Sequence, residues 1–299
     1  MTSMFVVIGE ALIDVVVRAD GGTLGAYPGG SPANVALGLA RLGETAELVT
    51  RIGRDSYGDQ IERHLAANGV RMSDGHRDGS PTSTATAMLG ADRGATYRFD
   101  LVWDPPDVRI GADTACVHAG SIATFLPPGA ATVARMMDAA RPHATISYDP
   151  NCRPDLQGDP EDARPGVAAM VARADLVRAS SDDLAWLYRD RDPVDVARSW
   201  LALGPSLVVV TFGPDGARAV TAGAAPHVPA PRVDIADTVG AGDAFTSALL
   251  SGASDAGLLG GRLPEIGADT LAGLLERACR AAAITCTRPG ADPPRRAEL

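Results

Sequence analysis

Short apolar runs, Phe5 to Ile8, Ala115 to Val117, Thr145 to Ser147 and Leu207 to Val210, punctuate longer stretches whose apolar residues recur at helical spacing. Strands that are apolar at successive positions are buried on both faces, so this alternation predicts a parallel sheet covered by helices on each side. Ser31 followed by Pro32 reads as an N-cap with proline at the first helical position, opening a helix over 33–42 that stops at Gly43. A second helix is predicted from Tyr57 to Asn68 before Gly69, and a third from Leu271 to Ile284, whose Ala and Leu content suits a packed element. Two places break the rhythm. Val15 to Arg18 alternates like a strand, as do Thr84 to Leu89 and Ala95 to Val102 around a turn at Gly90 to Gly94. They predict a small separate sheet placed to act as a lid that excludes water. The fold expected is α/β: one doubly wound domain over 1–299 with a mostly parallel central sheet and a β lid from about 15–27 and 82–103.

Composition narrows the chemistry. With 45% hydrophobic but only 4% aromatic residues, the core must be built mainly from aliphatic side chains and Ala. A formal charge of -10 disfavours a nucleic-acid surface, which needs basic patches for counterion release. All 27 basic residues counted as Lys+Arg are Arg, which excludes a Walker A lysine, a Schiff-base lysine and a pyridoxal anchor. Cys116, Cys152, Cys279 and Cys286 lack metal spacing and suit reduced, mostly buried thiols, and the five histidines form no metal or nucleophile motif. The opening segment has no basic stretch leading into a long apolar one, and no apolar run is long enough to span a bilayer. The expectation is a cytoplasmic protein that engages neither membrane nor nucleic acid.

The strongest chemical signal is Asp237-Thr238-Val239-Gly240-Ala241-Gly242-Asp243-Ala244-Phe245, a glycine turn running into an apolar helical stretch. Converging N–H groups and the positive end of a helix dipole can hold an anion there without any lysine. Asp243, in the first turn, would face the same anion and could accept a proton from an incoming hydroxyl. The carboxylate of Asp14, the bare backbone at Gly29 and Gly30, and the amide of Asn34 suit a polyol. Asp149-Pro150-Asn151-Cys152-Arg153 follows a predicted strand and should line the cleft at its C-terminal end.

These motifs resemble the signatures of the ribokinase-like, or pfkB-type, sugar kinases. Asp237 to Phe245 resembles the C-terminal signature, Gly29 to Ala36 the N-terminal one, Gly9-Glu10 with Asp14 the opening strand and first sugar contact, and Val209 to Gly213 with Gly216 the nucleotide-side strand and turn. The resemblance implies ATP-dependent phosphorylation of a sugar hydroxyl. In that scheme Asp243 is the base; Gly240, Ala241 and Gly242 form the anion hole, with Arg153 assisting. Asp14, Gly29, Gly30, Asn34, Arg98, Asp149 and Asn151 face the sugar, and Thr211, Gly213, Gly216, Gly240, Gly242 and Ala282 border ATP. The family's metal-side Asn-x-x-Glu stands here as Ser180-Ser181-Asp182-Asp183, leaving Asp183 as the candidate Mg²⁺ contact. Asp237 and the Val239 carbonyl resemble a K⁺ loop. The paired glycines followed by Ser31, together with the DPNxR segment, look closest to fructokinases. The alternatives are 2-keto-3-deoxygluconate, whose carboxylate would pair with Arg153 or Arg98, then ribose or a nucleoside, and a catalytically silent sugar-binding regulator. A nicotinamide oxidoreductase is disfavoured because Val7 to Leu12 holds one glycine where three are needed. Homodimerisation through the lid is a further implication of the resemblance.

Overall fold

The computed structural model describes residues 3–18, 22–89 and 95–299; the expected turn at 90–94 lies outside them. Among the described residues the central sheet has nine strands. From one edge they run His227–Val228, Ala217–Val220, Leu207–Thr211, Leu176–Ser180, Thr145–Asp149, Thr114–Gly120, Met4–Ile8, Thr45–Val49 and Arg71–Met72. Every neighbouring pair from Leu207–Thr211 to Arg71–Met72 is parallel, and the last two strands at the other edge are antiparallel.

The apolar runs behave as two-sided burial requires. Phe5 and Val7 join one core with Val35, Leu39, Ile61, Phe245, Leu249 and Leu275, while Val6 and Ile8 join the opposite core with Val133, Met137, Val167 and Trp200. Val209 likewise faces the first core and Val208 and Val210 the second. Helices therefore cover both faces, as the absence of polar alternation in these strands demands.

The chain begins in mid-sheet. After Met4–Ile8 it fills one side through Thr45–Val49 and Arg71–Met72, then returns to pair Thr114–Gly120 against the first strand's other edge. This reversal of strand order opens a crevice at the C-terminal strand ends, where ligands of open α/β sheets bind.

The small sheet has the order Thr23–Gly29, Leu12–Arg18, Thr84–Leu89, Ala95–Asp100. It differs from the expectation in two ways: the strand containing Val15 begins at Leu12, and Thr23–Gly29 is a full strand. TLGAYPG carries two glycines and a proline and no clean alternation, so pairing with Leu12–Arg18, not local pattern, makes it a strand.

Helix Ser31–Arg41 starts two residues before the predicted boundary, with Gly30 rather than Ser31 as its N-cap. At Gly30 φ is +103°, and a Cβ would fall 2.4 Å from the carbonyl oxygen of Glu10, so glycine alone makes this entry. Helix Ser56–Ala67 is capped by Asp55, whose Oδ1 accepts the Gly58 N–H at 2.8 Å. Helices Ala241–Asp255 and Ala268–Cys286 pack together on the first core, and every residue from Asp243 to Ala253 is buried. Burying each large apolar side chain of such a helix contributes roughly 1.5–3 kcal/mol, which makes it a rigid seat for its first turn. The four cysteines form no disulfide, and no helix among the described residues is long and apolar enough to cross a membrane.

Candidate active site

Asp149, Ser180 and Thr211 are the last residues of three adjacent parallel strands, and Gly9-Glu10 and Ser121 follow two more. Helix Ala241–Asp255 points its N-terminus at this rim. Its cap, Gly240, is left-handed at φ +75°, and a Cβ there would come within 2.6 Å of Ala291. The first-turn N–H groups of a helix have no intrahelical acceptors, so this end carries partial positive charge. The Ala241 N–H makes only a long contact, 3.3 Å, to the Thr238 carbonyl.

Asp243 is buried in that first turn. Its Oδ1 accepts a hydrogen bond from Ser31 Oγ at 2.7 Å and its Oδ2 one from Asn34 Nδ2 at 2.8 Å. The one-residue shift of the cap to Gly30 is what frees the Ser31 hydroxyl for this contact. Burial raises the Asp243 pKa, opposed by Ser31, Asn34, Arg153 and Arg178. The net shift is upward, and the donors Ser31 and Asn34 stand where water would otherwise solvate the carboxylate.

On the other side of Gly30 lies Asp14, half-buried on the small sheet, with its carboxylate so close over Gly29 that a Cβ there would meet Oδ2 at 2.1 Å. Burial lifts Asp14 to about 6 and Glu10 to about 7, and Arg153 opposes both shifts. Arg153 Nη1 donates to the Asn151 carbonyl at 2.9 Å, to Asn151 Oδ1 at 2.5 Å and to the Cys152 carbonyl at 3.0 Å. Asn151 itself sits at φ +36°, an uncommon backbone for a residue with a side chain, and its N–H donates to Asp149 Oδ1 at 3.0 Å. Arg98 is elsewhere: exposed on the small sheet, with Nη2 donating to Asp100 at 2.9 Å.

Toward the predicted nucleotide side, Gly213 at φ +54° has open space around a notional Cβ, whereas Gly216 at φ +93° is forced by the Val228 carbonyl at 2.0 Å. Ala282 lies half-buried on helix Ala268–Cys286. Asp237 draws two loops together: its Oδ1 accepts the Val239 N–H at 3.1 Å and its Oδ2 the Gly290 N–H at 2.9 Å, and these amides lower its pKa.

Asp183 is buried and fully engaged. Its Oδ1 accepts the Cys152 N–H at 2.7 Å, and its Oδ2 accepts the Ser180 N–H at 2.9 Å and the Ser180 hydroxyl at 2.5 Å, forming a reciprocal capping box for helix Ser181–Leu187. Among the described residues no cluster of three His, Cys, Asp or Glu side chains could hold a metal. With one donor on Oδ1 and two on Oδ2, the carboxylate is engaged in the capping box, an arrangement that favours a structural role over direct Mg²⁺ ligation.

Sequence reasoning overlooked Arg178, which occupies the middle of this constellation. It is buried, and its Nη1 donates to Asp149 Oδ2 at 2.9 Å and its Nη2 to Thr211 Oγ1 at 2.6 Å. The available signal was a charged residue inside the apolar run Leu176 to Ala179, a place charge occupies only when paired. Glu10 was quoted only as part of the opening motif.

The sequence profile described as pfkB family carbohydrate kinase matches residues 2–297. The fructokinase of Klebsiella pneumoniae is 35% identical over 261 residues, 84% of this chain and 85% of that protein. In fold the chain is similar to the fructokinase of Xylella fastidiosa with bound ATP, with a TM-score of 0.81 at 24% identity over 97% of this chain and 94% of that one. A fructokinase of Vibrio cholerae O395, in a form with fructose, ADP and potassium bound, is similar with a TM-score of 0.77 at 25% identity over 97% and 94% of the two chains.

Proposed function

Because the chain belongs to the pfkB family of carbohydrate kinases and is thereby an ATP-dependent sugar kinase, we propose that its sugar is fructose and that Asp243 is the general base. The observation that carries this reading is the convergence on one buried carboxylate of donors from the sugar-side helix, at the mouth of a lysine-free anion site.

The sugar lies between Asp14, the Gly29-Gly30 backbone and Asn34, with the small sheet closing over it as a lid. Asp243 takes the proton of the attacking hydroxyl as its oxygen bonds to the γ-phosphorus. The bond from that phosphorus to the β–γ bridging oxygen breaks, leaving ADP and a sugar phosphate. N–H groups of Ala241 and Gly242 stabilise the charge on the transferring group, and Arg153 assists from the DPNxR segment. Thr211, Gly213 and Gly216 border the nucleotide. Mg²⁺ would come with ATP and would supply positive charge to the phosphates, keeping much of its water in line with its reluctance to dehydrate. Asp237 and the Val239 carbonyl are the residues that would hold K⁺, and the adjacency of their loop to Gly290 fits that role; the ion would add positive charge beside the anion hole.

Charge around the sugar favours a neutral substrate. Glu10, Asp14 and Asp243 all feel Arg153, so three carboxyl groups share this guanidinium, and a sugar acid would add a fourth. Tyr27 is exposed on the small sheet, on the face that carries Asp14, and supports a homodimer through that face, which sedimentation would test by returning the mass of one chain or of two. The unpaired thiols support a cytoplasmic setting.

The deciding experiment measures ATP consumption with fructose, 2-keto-3-deoxygluconate, ribose and adenosine in the presence of Mg²⁺ and K⁺. Fructose is expected to exceed the others in kcat/KM by at least about tenfold. Preference for the sugar acid would overturn the substrate, and silence with every sugar would overturn the catalytic reading.

A further inference from the structure

We propose that Arg178 is a positioning residue for phosphoryl transfer, its guanidinium clamped between Asp149 and Thr211 as a fixed positive charge behind the anion-binding turn. The inference rests on the kinase reading above and assigns a part of the machinery that the sequence motifs leave out.

Three geometric facts carry it. The guanidinium lies against the Gly242 Cα: a Cβ at Gly242 would meet Nη1 and Nη2 at 3.1 Å and Cζ at 3.3 Å. A side chain at Gly242 would thus crowd this arginine, which would have to give by a few tenths of an ångström. Both terminal nitrogens are committed, Nη1 to Asp149 and Nη2 to Thr211, the final residues of the strands on either side of its own. The Nε is buried with no hydrogen-bond partner among the described residues.

Stability alone gives poor reason for this arrangement. Val177 and Ala179 on the same strand are wholly buried, and an apolar pair in place of a buried ion pair is often neutral or stabilising. A fixed cation has a use here because the chain contains no lysine to meet the phosphates.

The surrounding charges define what the cation does. Facing it are Asp149 at the end of its strand, Asp183 in the capping box, and Asp243 in the first helical turn. Burial works against the arginine's charge, but these three carboxylates outweigh it and hold its pKa above the usual range. His118, on strand Thr114–Gly120, stays neutral, pushed down to about 3 by burial and by Arg178. Arg153 supplies a second cation to Asp243 from the following loop. Removing Arg178 therefore frees the Thr211 hydroxyl, leaves Asp149 unpaired, weakens the positive field at the turn and makes Asp243 easier to protonate.

The test compares Arg178→Met and Arg178→Lys with the wild type in kcat, both KM values and the pH profile from about pH 5 to 9. The Met variant is expected to lose kcat by about thirtyfold or more, with the acid limb of kcat moved to higher pH and the sugar KM changed by less than about threefold. The Lys variant keeps the charge and is expected to stay within about fivefold of wild type with its acid limb unmoved. A folded Met variant with wild-type kcat and acid limb would overturn the proposal. So would a folded Lys variant that loses kcat by about thirtyfold or more, an outcome that decides the matter alone should Met not fold. Should the wild type phosphorylate none of the sugars, binding is measured with a non-hydrolysable ATP analogue and with AMP. Loss of about tenfold for the analogue only in the Met variant, with the Lys variant near wild type, upholds the role, and equal loss for both ligands, or loss for neither, overturns it.

Discussion

The Ser31 hydroxyl and the Asn34 amide each donate to a different oxygen of Asp243, so the readiness of this proposed base is set by neighbours that a proton must compete with. Asp243→Asn removes the acceptor and should lower kcat by a factor of about 10² or more while sugar affinity, read by calorimetry, stays within a few-fold. Ser31→Ala removes a donor that favours the charged form, so the pKa of Asp243 rises further. With Asp243 as the proposed base, the acid limb of kcat should move to higher pH, with the alkaline limb unaffected.

Glu10 is shifted in the same direction, lifted to about 7 by burial. The folded chain holds a proton there that the unfolded chain releases near its ordinary, lower value. This group's stabilisation is present below that lower value and is lost as pH rises through about 7. The melting midpoint of the ligand-free protein should fall between about pH 5 and 8, and Glu10→Gln should flatten that fall; an unchanged slope would count against the buried carboxyl as its source. Asp14, Asn34 and Asp243 stood out in the sequence as candidates because glycine motifs flank them. Arg178 did not, because its partners Asp149 and Thr211 are 29 and 33 positions away and only the sheet brings them together.

At the level of elements, burial on both faces made the central strands readable, since no polar residue interrupts Phe5 to Ile8 or Leu207 to Val210. Thr23–Gly29 was unreadable for the converse reason, its existence depending on a partner strand. Helix Ser181–Leu187 shows how a local device can imitate a functional one. A serine followed three residues later by a carboxylate is a capping box as well as an altered metal motif, and here the hydrogen bonds complete the box. Asp183→Ala should therefore cost about 1–2 kcal/mol in a denaturant melt, while the Mg²⁺ concentration for half-maximal activity shifts by less than about threefold. A tenfold shift would restore Asp183 as a metal contact.

Across the whole molecule, the crevice exists because strand order reverses beside Met4–Ile8, and the small sheet stands over it because Leu12–Arg18 leaves directly from that strand's end. Topology of this kind follows from the alternation of elements, which is why the fold class was legible throughout; the pairing of Leu12–Arg18 with two distant partners was not, because register is a property of the folded sheet.

The bond from Ser31 to Asp243 spans 212 positions. During synthesis the sugar-side helix leaves the ribosome long before the base does, and at ordinary elongation rates of about 5–20 residues per second the delay is on the order of ten seconds or more. Through that interval the nascent chain lacks the helix that completes its first core, so it cannot turn over ATP. Catalytic competence thus cannot precede the emergence of Asp243, and in a synchronised cell-free translation the first turnover should trail the appearance of the N-terminal epitope by at least that lag.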